Sequence, residues 1–371
     1  MSRRASAFHA NPWQGVIYLT GGGSGLLAEM LSTPGASASV LEANVPYASL
    51  ALTQLLGKAP DQSVAADTAR QMAATAYNRA QHLVERHTAD DHLFGLGITA
   101  GLATNRVKKG QHRAHWCIQT ADHTCAFFTH FDAAETTRAK EEKLLVDFVW
   151  QTLQQVLTSP TASPPQSSEL SPEVSSEHAA VRAGFAPLLT NTPYKICIGE
   201  HDGNLLLPGS FNPVHSGHEQ MLAIAQELTG RAGAFELAVR NADKPTLDYI
   251  SLEERLARIT DTPVWLTNTA IFSEKARLFP NTIFALGVDT MRRIADLRFY
   301  QGQQGLLEEA LEIFVQYNTS FIVFGRAEGG KFITLDDINL PEVLRERCQP
   351  VAESDYRNDI SSTALRAGTP S

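Results

Sequence analysis

The sequence predicts two α/β domains in series, the second built on a doubly wound parallel sheet. Three observations point there. The chain has 371 residues, more than one hydrophobic core usually supports. In both halves, apolar runs of strand length alternate with segments whose apolar residues recur at helical spacing. Between the halves lies TSPTASPPQSSELSPEVSSEH, residues 158–178. Prolines there interrupt any helix, and too few apolar residues are present to offset the entropy of ordering. The expected organisation is a first domain over 15–157, a Ser/Pro-rich linker over 158–192 and a second domain over 193–371.

In the first half, residues 1–14 are polar and read as a frayed end. Gly15 to Thr20 reads as a strand, closed by Gly21-Gly22-Gly23-Ser24-Gly25, and Leu26 to Leu31 as a helix stopped at Ser32-Thr33-Pro34-Gly35. Thr68 to Val84 is an Ala-rich helical pattern. Leu93 to Ile98 and Ala114 to Gln119 read as strands, the second continuing past Asp122-His123 into Cys125 to His130. Ala134 to Leu157 closes the region as a helix. The glycine cluster suits a cradle for phosphate, because glycine lets backbone amides approach an anion closely. It equally suits a tight strand-to-helix turn.

In the second half, Leu205-Leu206-Leu207 is a short buried strand stopped at Pro208-Gly209. Glu219 to Leu228 then repeats Met221, Leu222, Ile224, Ala225 and Leu228 at helical spacing. His215 and His218 therefore sit where a strand hands over to a helix N-terminus, the place where backbone N–H groups and the helix dipole favour phosphate. That suggests phosphoryl or nucleotidyl chemistry. Phe235 to Val239 is the next strand. Leu252 to Ile259 is a helix with Ser251 as cap and Glu254 in the capping-box position. Val264 to Thr267 is a strand and Ala270 to Leu278 a helix. Thr282 to Val288 and Phe321 to Phe324 are strands. In such sheets ligands bind at the carboxyl ends of the strands. His215, Lys244, Asp289 and Arg326 each follow a predicted strand, so all four are expected on one rim.

Composition narrows the function. Apolar residues make up 43% and charged residues 19% of the chain, as in soluble globular proteins. A net charge of −9 argues against a broad nucleic-acid-binding face. No apolar stretch approaches the ~18 residues a membrane span needs, and no secretory signal is read at the N-terminus. Cys117, Cys125, Cys197 and Cys348 show no zinc-like spacing and are expected as reduced thiols of a cytoplasmic protein.

Two resemblances add to this reading. Gly25-Leu26-Leu27-Ala28, Thr33-Pro34-Gly35-Ala36-Ser37, Val45-Pro46-Tyr47, Leu55-Leu56-Gly57, Gly97-Ile98-Thr99-Ala100-Gly101 and Lys109-Gly110 resemble the C-terminal domain of the CinA family, over about residues 15–157. That family includes nicotinamide mononucleotide deamidases. The resemblance also implies a degenerate site here. Where the family's active members carry a serine nucleophile stands Gly21, or a neighbouring glycine if the turn slips, and a lysine of theirs aligns with Leu52. Ser24 lies elsewhere in the turn, and Tyr47 is either a relic of the site or a core aromatic. The implied role is a scaffold or a ligand sensor, with self-association through this half left open.

Gly209-Ser210-Phe211-Asn212-Pro213-Val214-His215-Ser216-Gly217-His218 resembles the HxGH signature of the nucleotidyltransferase superfamily. Ile360-Ser361-Ser362-Thr363-Ala364-Leu365-Arg366 is similar to its ISSTxIR motif. Gly287-Val288-Asp289-Thr290 lies between them, as in nicotinamide and nicotinate mononucleotide adenylyltransferases; cytidylyltransferases share the two motifs. The resemblance covers about 195–371 and implies a Rossmann-like fold. It also implies transfer of a nucleoside monophosphate, from ATP in the first instance, to a small phosphorylated acceptor such as nicotinamide mononucleotide, with Mg²⁺ accompanying the triphosphate. His215, His218 and Arg366 are the expected catalytic residues, the imidazoles donating to phosphate oxygens as charge develops. Gly209, Ser210, Phe211, Gly217, Asp289, Ser361, Ser362 and Thr363 are the expected nucleotide contacts, and Lys244 the acceptor contact. For Asp289 a ribose contact, ordering of the strand end and a capping role all stay open.

Overall fold

The structure, a computed structural model, describes residues 2–84, 92–105, 110–132, 137–159, 173–240 and 245–358. These divide into two compact units, Met1–Thr190 with Asp243–Glu253, and Asn191–Ala242 with Glu254–Ser371.

The first unit contains α1 (Arg3–His9), β1 (Gln14–Thr20), α2 (Ser24–Leu31), β2 (Val40–Asn44), α3 (Ser49–Leu56) and α4 (Ala66–Leu83). It continues with β3 (Leu93–Gly101), β4 (His112–Gln119), β5 (His123–Phe131), α5 (Arg138–Thr158) and β6 (Val174–Ala180). The strands form one sheet in the order β2-β1-β3-β4-β5-β6, parallel from β2 to β3 and antiparallel onward. One core joins Phe8, Leu26 and Met30 to Trp116 and Trp150. Against the other face lies the Ala-rich α4, whose Ala69, Ala73, Ala76 and Ala80 are buried. The helix backbone comes so close that a Cβ on Gly95 would lie 2.2 Å from the Ala73 oxygen, so only glycine fits in β3 there.

Four expectations are corrected in this unit. Residues 3–9 are helical rather than frayed: Ala5 and Phe8 are buried, and Phe8 packs edge-on against Phe94 and Trp150 at 5.8 and 5.6 Å. The strand expected to run on through Asp122-His123 reverses there, with Thr120 N–H donating to the His123 oxygen at 2.9 Å, and becomes the β4–β5 hairpin. Residues 174–180, placed in the linker by composition, form β6 and extend the sheet beside β5. The segment 243–253, placed in the second domain, belongs to this first unit.

The second unit contains β7 (Lys195–Ile198), β8 (Leu205–Pro208), α6 (Ser216–Thr229), β9 (Ala234–Ala238), α7 (Tyr249–Leu256, its first residues in the other unit), β10 (Val264–Thr267) and α8 (Phe272–Leu278). Then follow β11 (Ile283–Gly287), α9 (Val288–Ile294), α10 (Gln304–Gln316), β12 (Ser320–Phe324), the hairpin β13 (Arg326–Glu328) and β14 (Lys331–Ile333), α11 (Glu342–Arg345) and β15 (Cys348–Val351). The sheet order is β15-β12-β11-β8-β9-β10-β7. Six strands are parallel and only β7, at the edge, is antiparallel. The order reverses between β8 and β11, which is the switch point where such sheets bind ligands. Phe284, Phe314 and Phe321 centre the core on one side.

Inside this sheet Glu236 of β9 is fully buried, with Lys275 Nζ of α8 at 2.6 Å and the Thr267 hydroxyl donating to it. Helix α7 starts three residues before the expected Leu252. Its cap is Asp248, whose Oδ1 accepts from Ser251 N–H at 2.9 Å; Ser251 lies inside the helix and donates its hydroxyl to the same carboxylate at 2.5 Å. No helix among the described residues is long and apolar enough to cross a membrane. All four cysteines are free.

Candidate active site

Strand β8 delivers the chain to the switch point and Gly209 turns it. Gly209 N–H donates to the Glu236 oxygen at 2.9 Å, which fastens the loop to β9. Phe211 is 1% exposed and takes a φ of 44°, left-handed for a non-glycine residue. Its ring lies 4.5 Å from that of Phe235 and 5.1 Å, edge-on, from that of His218. The same ring would meet a Cβ on Gly209 at 2.5 Å, so the glycine makes room for the phenylalanine. Arg255 Nη1 donates to the Ser210 oxygen at 2.9 Å and holds the loop from the far side.

His215 is the N-cap residue of α6 and His218 lies three residues on. Their rings stack, with centroids 3.8 Å apart and planes at 27°. His215 N–H donates to His218 Nδ1 at 3.3 Å. That bond selects the tautomer: with Nδ1 accepting, neutral His218 carries its proton on Nε2, the atom left to donate. Burial, with His215 adding to it, pulls His218 down to about 4. Burial also lowers His215, against a smaller opposing pull from Glu219. Gly217 is buried between them, and a Cβ there would meet the His215 ring at 3.0 Å. The pair is thus two uncharged imidazoles at the positive end of a helix, facing the switch point.

After β15 the chain returns to this helix start. Tyr356 stacks edge-on against Phe324 at 5.0 Å and donates its hydroxyl to the Gly217 oxygen at 3.4 Å. Asn358 Nδ2 donates to Gln220 Oε1 at 2.9 Å. Nothing local in the sequence marks Tyr356, Asn358 or Arg255 as belonging here. Ser361, Ser362, Thr363 and Arg366 lie outside the described residues, as does Lys244.

Asp289 and Arg326, both expected at strand ends, are brought together. Asp289 stands in the first turn of α9, directly after β11, and Arg326 Nη1 donates to its carboxylate. Arg292 spans Asp289 at 3.5 Å and Glu328 at 2.9 Å. Asp289 is the second residue of α9 and caps nothing; its partners are arginines. Among the described residues, no group of three or more His, Cys, Asp or Glu side chains is placed to hold a metal ion.

The glycine turn of the first unit is already filled. Glu142 of α5 accepts from Gly23 N–H at 2.9 Å, from Gly25 N–H at 3.0 Å and from the Ser24 hydroxyl at 3.0 Å. Its carboxylate occupies the place a phosphate would take at the start of α2. Gly21 has φ +79°, and a Cβ there would lie 1.9 Å from the Ala100 oxygen, so no nucleophilic side chain fits. Tyr47 is 69% exposed, which excludes the core-aromatic alternative.

Among curated proteins, none matches the chain. Among solved structures it is similar to the competence/damage inducible protein CihA from Agrobacterium tumefaciens. The two are 17% identical, with 42% of this chain and 92% of that chain covered and a TM-score of 0.33. Residues 206–368 match the family model described as cytidylyltransferase-like, a span that runs from β8 through the histidine loop and on past β15. The second half of the chain therefore carries a cytidylyltransferase-like domain of the nucleotidyltransferase superfamily.

Proposed function

We propose that the second unit transfers a nucleoside monophosphate from a nucleoside triphosphate to a phosphorylated acceptor and releases pyrophosphate. The observation that carries this reading is the stacked pair His215 and His218 at the switch point, with His218 held as the Nε2–H tautomer. Such a transfer needs little covalent help from protein, and positioning with charge stabilisation suffices. The acceptor's phosphate oxygen attacks the α-phosphorus, the bond to the bridging oxygen breaks, and the pair of electrons leaves on pyrophosphate. His218 Nε2–H and the His215 ring donate to phosphate oxygens as that charge grows. In the neutral ring Nε2–H stays free to donate, because Nδ1 accepts from His215 N–H.

ATP is the donor we propose, and nicotinamide mononucleotide the acceptor. Support for the acceptor is the Gly287-Val288-Asp289-Thr290 segment and the likeness of the first half to a family that handles the same compound. We propose that Ser361, Ser362, Thr363 and Arg366 grip the outer phosphates, that Lys244 meets the acceptor phosphate, and that Mg²⁺ enters with the triphosphate. The described residues offer no ligand set of their own for the metal. Transfer from CTP is the second reading, favoured by the cytidylyltransferase-like match itself. For the first unit we propose a scaffold rather than a deamidase, because Glu142 fills the glycine turn and Gly21 has no space for a side chain.

Pyrophosphate release from a panel of triphosphates, each with several phosphorylated acceptors and Mg²⁺, tests this. Release with ATP and nicotinamide mononucleotide is expected. Release with CTP alone would transfer the assignment to the second reading, and none with any pair would sink both.

A further inference from the structure

The parallel strands at the centre of the second unit carry little that would hold them in register. Leu205, Leu206 and Leu207 of β8 are all buried, as are Ala234, Phe235 and Leu237 of β9. With both faces apolar, a slip of one residue moves no polar group of these positions into the core and no apolar one out of it. Glu236 breaks the pattern. It is 0% exposed and stands in β9 opposite Pro208 of β8 and Trp265 of β10. Its carboxylate takes Lys275 Nζ at 2.6 Å and the hydroxyl of Thr267, two residues along β10 from Trp265. Lys275 is 4% exposed, and its Nζ also lies 5.1 Å from the centre of the Phe272 ring. Among the described residues of this unit, no other Asp, Glu, Lys or Arg is buried to this depth. Two contacts lead from the same stretch of β9 to the histidine loop. The Glu236 oxygen accepts from Gly209 N–H at 2.9 Å. The Phe235 ring lies 4.5 Å from that of Phe211, which in turn meets the His218 ring at 5.1 Å.

We infer that Glu236, Lys275 and Thr267 position the histidine loop, by holding β9 in the one register that sets Gly209, Phe211 and His218 in place. A buried ion pair is a weak source of stability, because desolvating both charges offsets most of their attraction. What this one supplies is selectivity, since at any other register the two charges lose each other. A slip of one residue would turn Glu236 towards Phe211 and Phe235 towards Lys275, unpairing both charges and removing the ring on which Phe211 rests. A slip of two would keep the faces but carry Glu236 about 7 Å along the strand from Lys275. The three side chains act through the backbone of β9, and errors of position in the loop cost rate rather than binding. The catalytic consequence rests on the transferase reading above; the register does not.

Nitrogen NMR of the His218 ring in the full-length chain, with amide exchange at Gly209 and turnover, tests this. Glu236→Met, Thr267→Val and Lys275→Met together replace the network by apolar groups of similar size. No charge is left unpaired, so the melting temperature should lie within about 3 °C of the wild type. Lys275→Met alone strands a carboxylate and should lower it by roughly 10 °C. In the wild type His218 Nδ1 accepts and Nε2 carries the proton, so the two nitrogens give separate signals. The stable triple variant should lose that separation as its loop takes up other positions. Its Gly209 amide should exchange about ten-fold faster. Its kcat should fall about ten-fold, with the KM for ATP within about three-fold. Thr267→Val alone leaves the charges paired and should move the ring signals and the exchange the same way but less far; Thr267→Ser should restore them. Wild-type ring signals and Gly209 exchange in both the triple variant and Thr267→Val would overturn the inference. So would a triple variant as unstable as Lys275→Met, since the network would then serve stability and not register. Changed signals in a protein whose wild type releases no pyrophosphate would keep the positioning role and remove the transferase reading instead.

Discussion

Replacing His218 tests the site most directly, because the structure gives its two ring nitrogens different work. Nδ1 accepts from His215 N–H at 3.3 Å, and the ring packs on Phe211 and His215, so this side is structural. Nε2–H is the donor we propose for phosphate. His218→Ala removes both. Loss of one transition-state donor costs roughly 10²–10³ in kcat, about 2.7–4 kcal/mol. Loss of the hydrogen bond and ring packing adds about 1–2 kcal/mol of instability. His218→Asn separates them: its amide reaches the Nδ1 position and can accept from His215 N–H, but nothing reaches Nε2. Its melting temperature should therefore lie near the wild type while its kcat stays about two orders down. His218→Gln, whose amide reaches the Nε2 position, should recover part of the rate. Pyrophosphate release for kcat and calorimetry for stability make the comparison. An asparagine variant turning over at the wild-type rate would refute the donor role of Nε2. A limb near pH 6.5 in kcat/KM that vanishes with the ring would instead contradict the lowered pKa of His218, since a group held at about 4 does not titrate there.

Two further outcomes follow from the charges. Glu142→Ala strips three donors of their acceptor at the start of α2 and should cost about 1–2 kcal/mol on a denaturant curve, with sulfate restoring part of the loss in the variant alone. A variant as stable as the wild type would show that the turn needs no anion. Acid should weaken both units, because burial holds His115 in the first and His218 in the second at about 4. The unfolded chain takes up these protons near pH 6.5 and the folded one only near 4, so stability falls as pH drops between those values. The slope would reach about 1.4 kcal/mol per pH unit for a fully buried ring and is less for His115 and His218, which are both partly exposed. Melting temperatures that stay level from pH 7 to pH 5 would contradict those environments.

Local patterns made the strand–turn–helix around His215 legible: Leu205 to Leu207 run without alternation, and the helical period begins just after His218. The parallel order also let strand ends be read as one rim, and Asp289 and Arg326 do meet there. Where two residues compete for one task, the sequence offers no arbiter. Ser251 and Asp248 are both good caps, and the burial of Tyr249 and Ile250 decided for the earlier one. Edge strands carry little signal, and β6 is mostly exposed Ser, Glu and His, without the apolar alternation that marks a strand. Partners far apart in sequence were hidden altogether, as with Glu142 and Gly25, 117 residues apart.

Glu142 also fixes how the first unit can respond to anions. A carboxylate delivered by a packed helix of the same chain acts at an effective concentration that free solutes do not reach. Cellular phosphate or a mononucleotide would have to displace a tethered competitor already bound by three donors. Ordinary swings in metabolite level should therefore leave this turn unmoved. The three donors of this turn are thus held by an acceptor that the chain itself supplies.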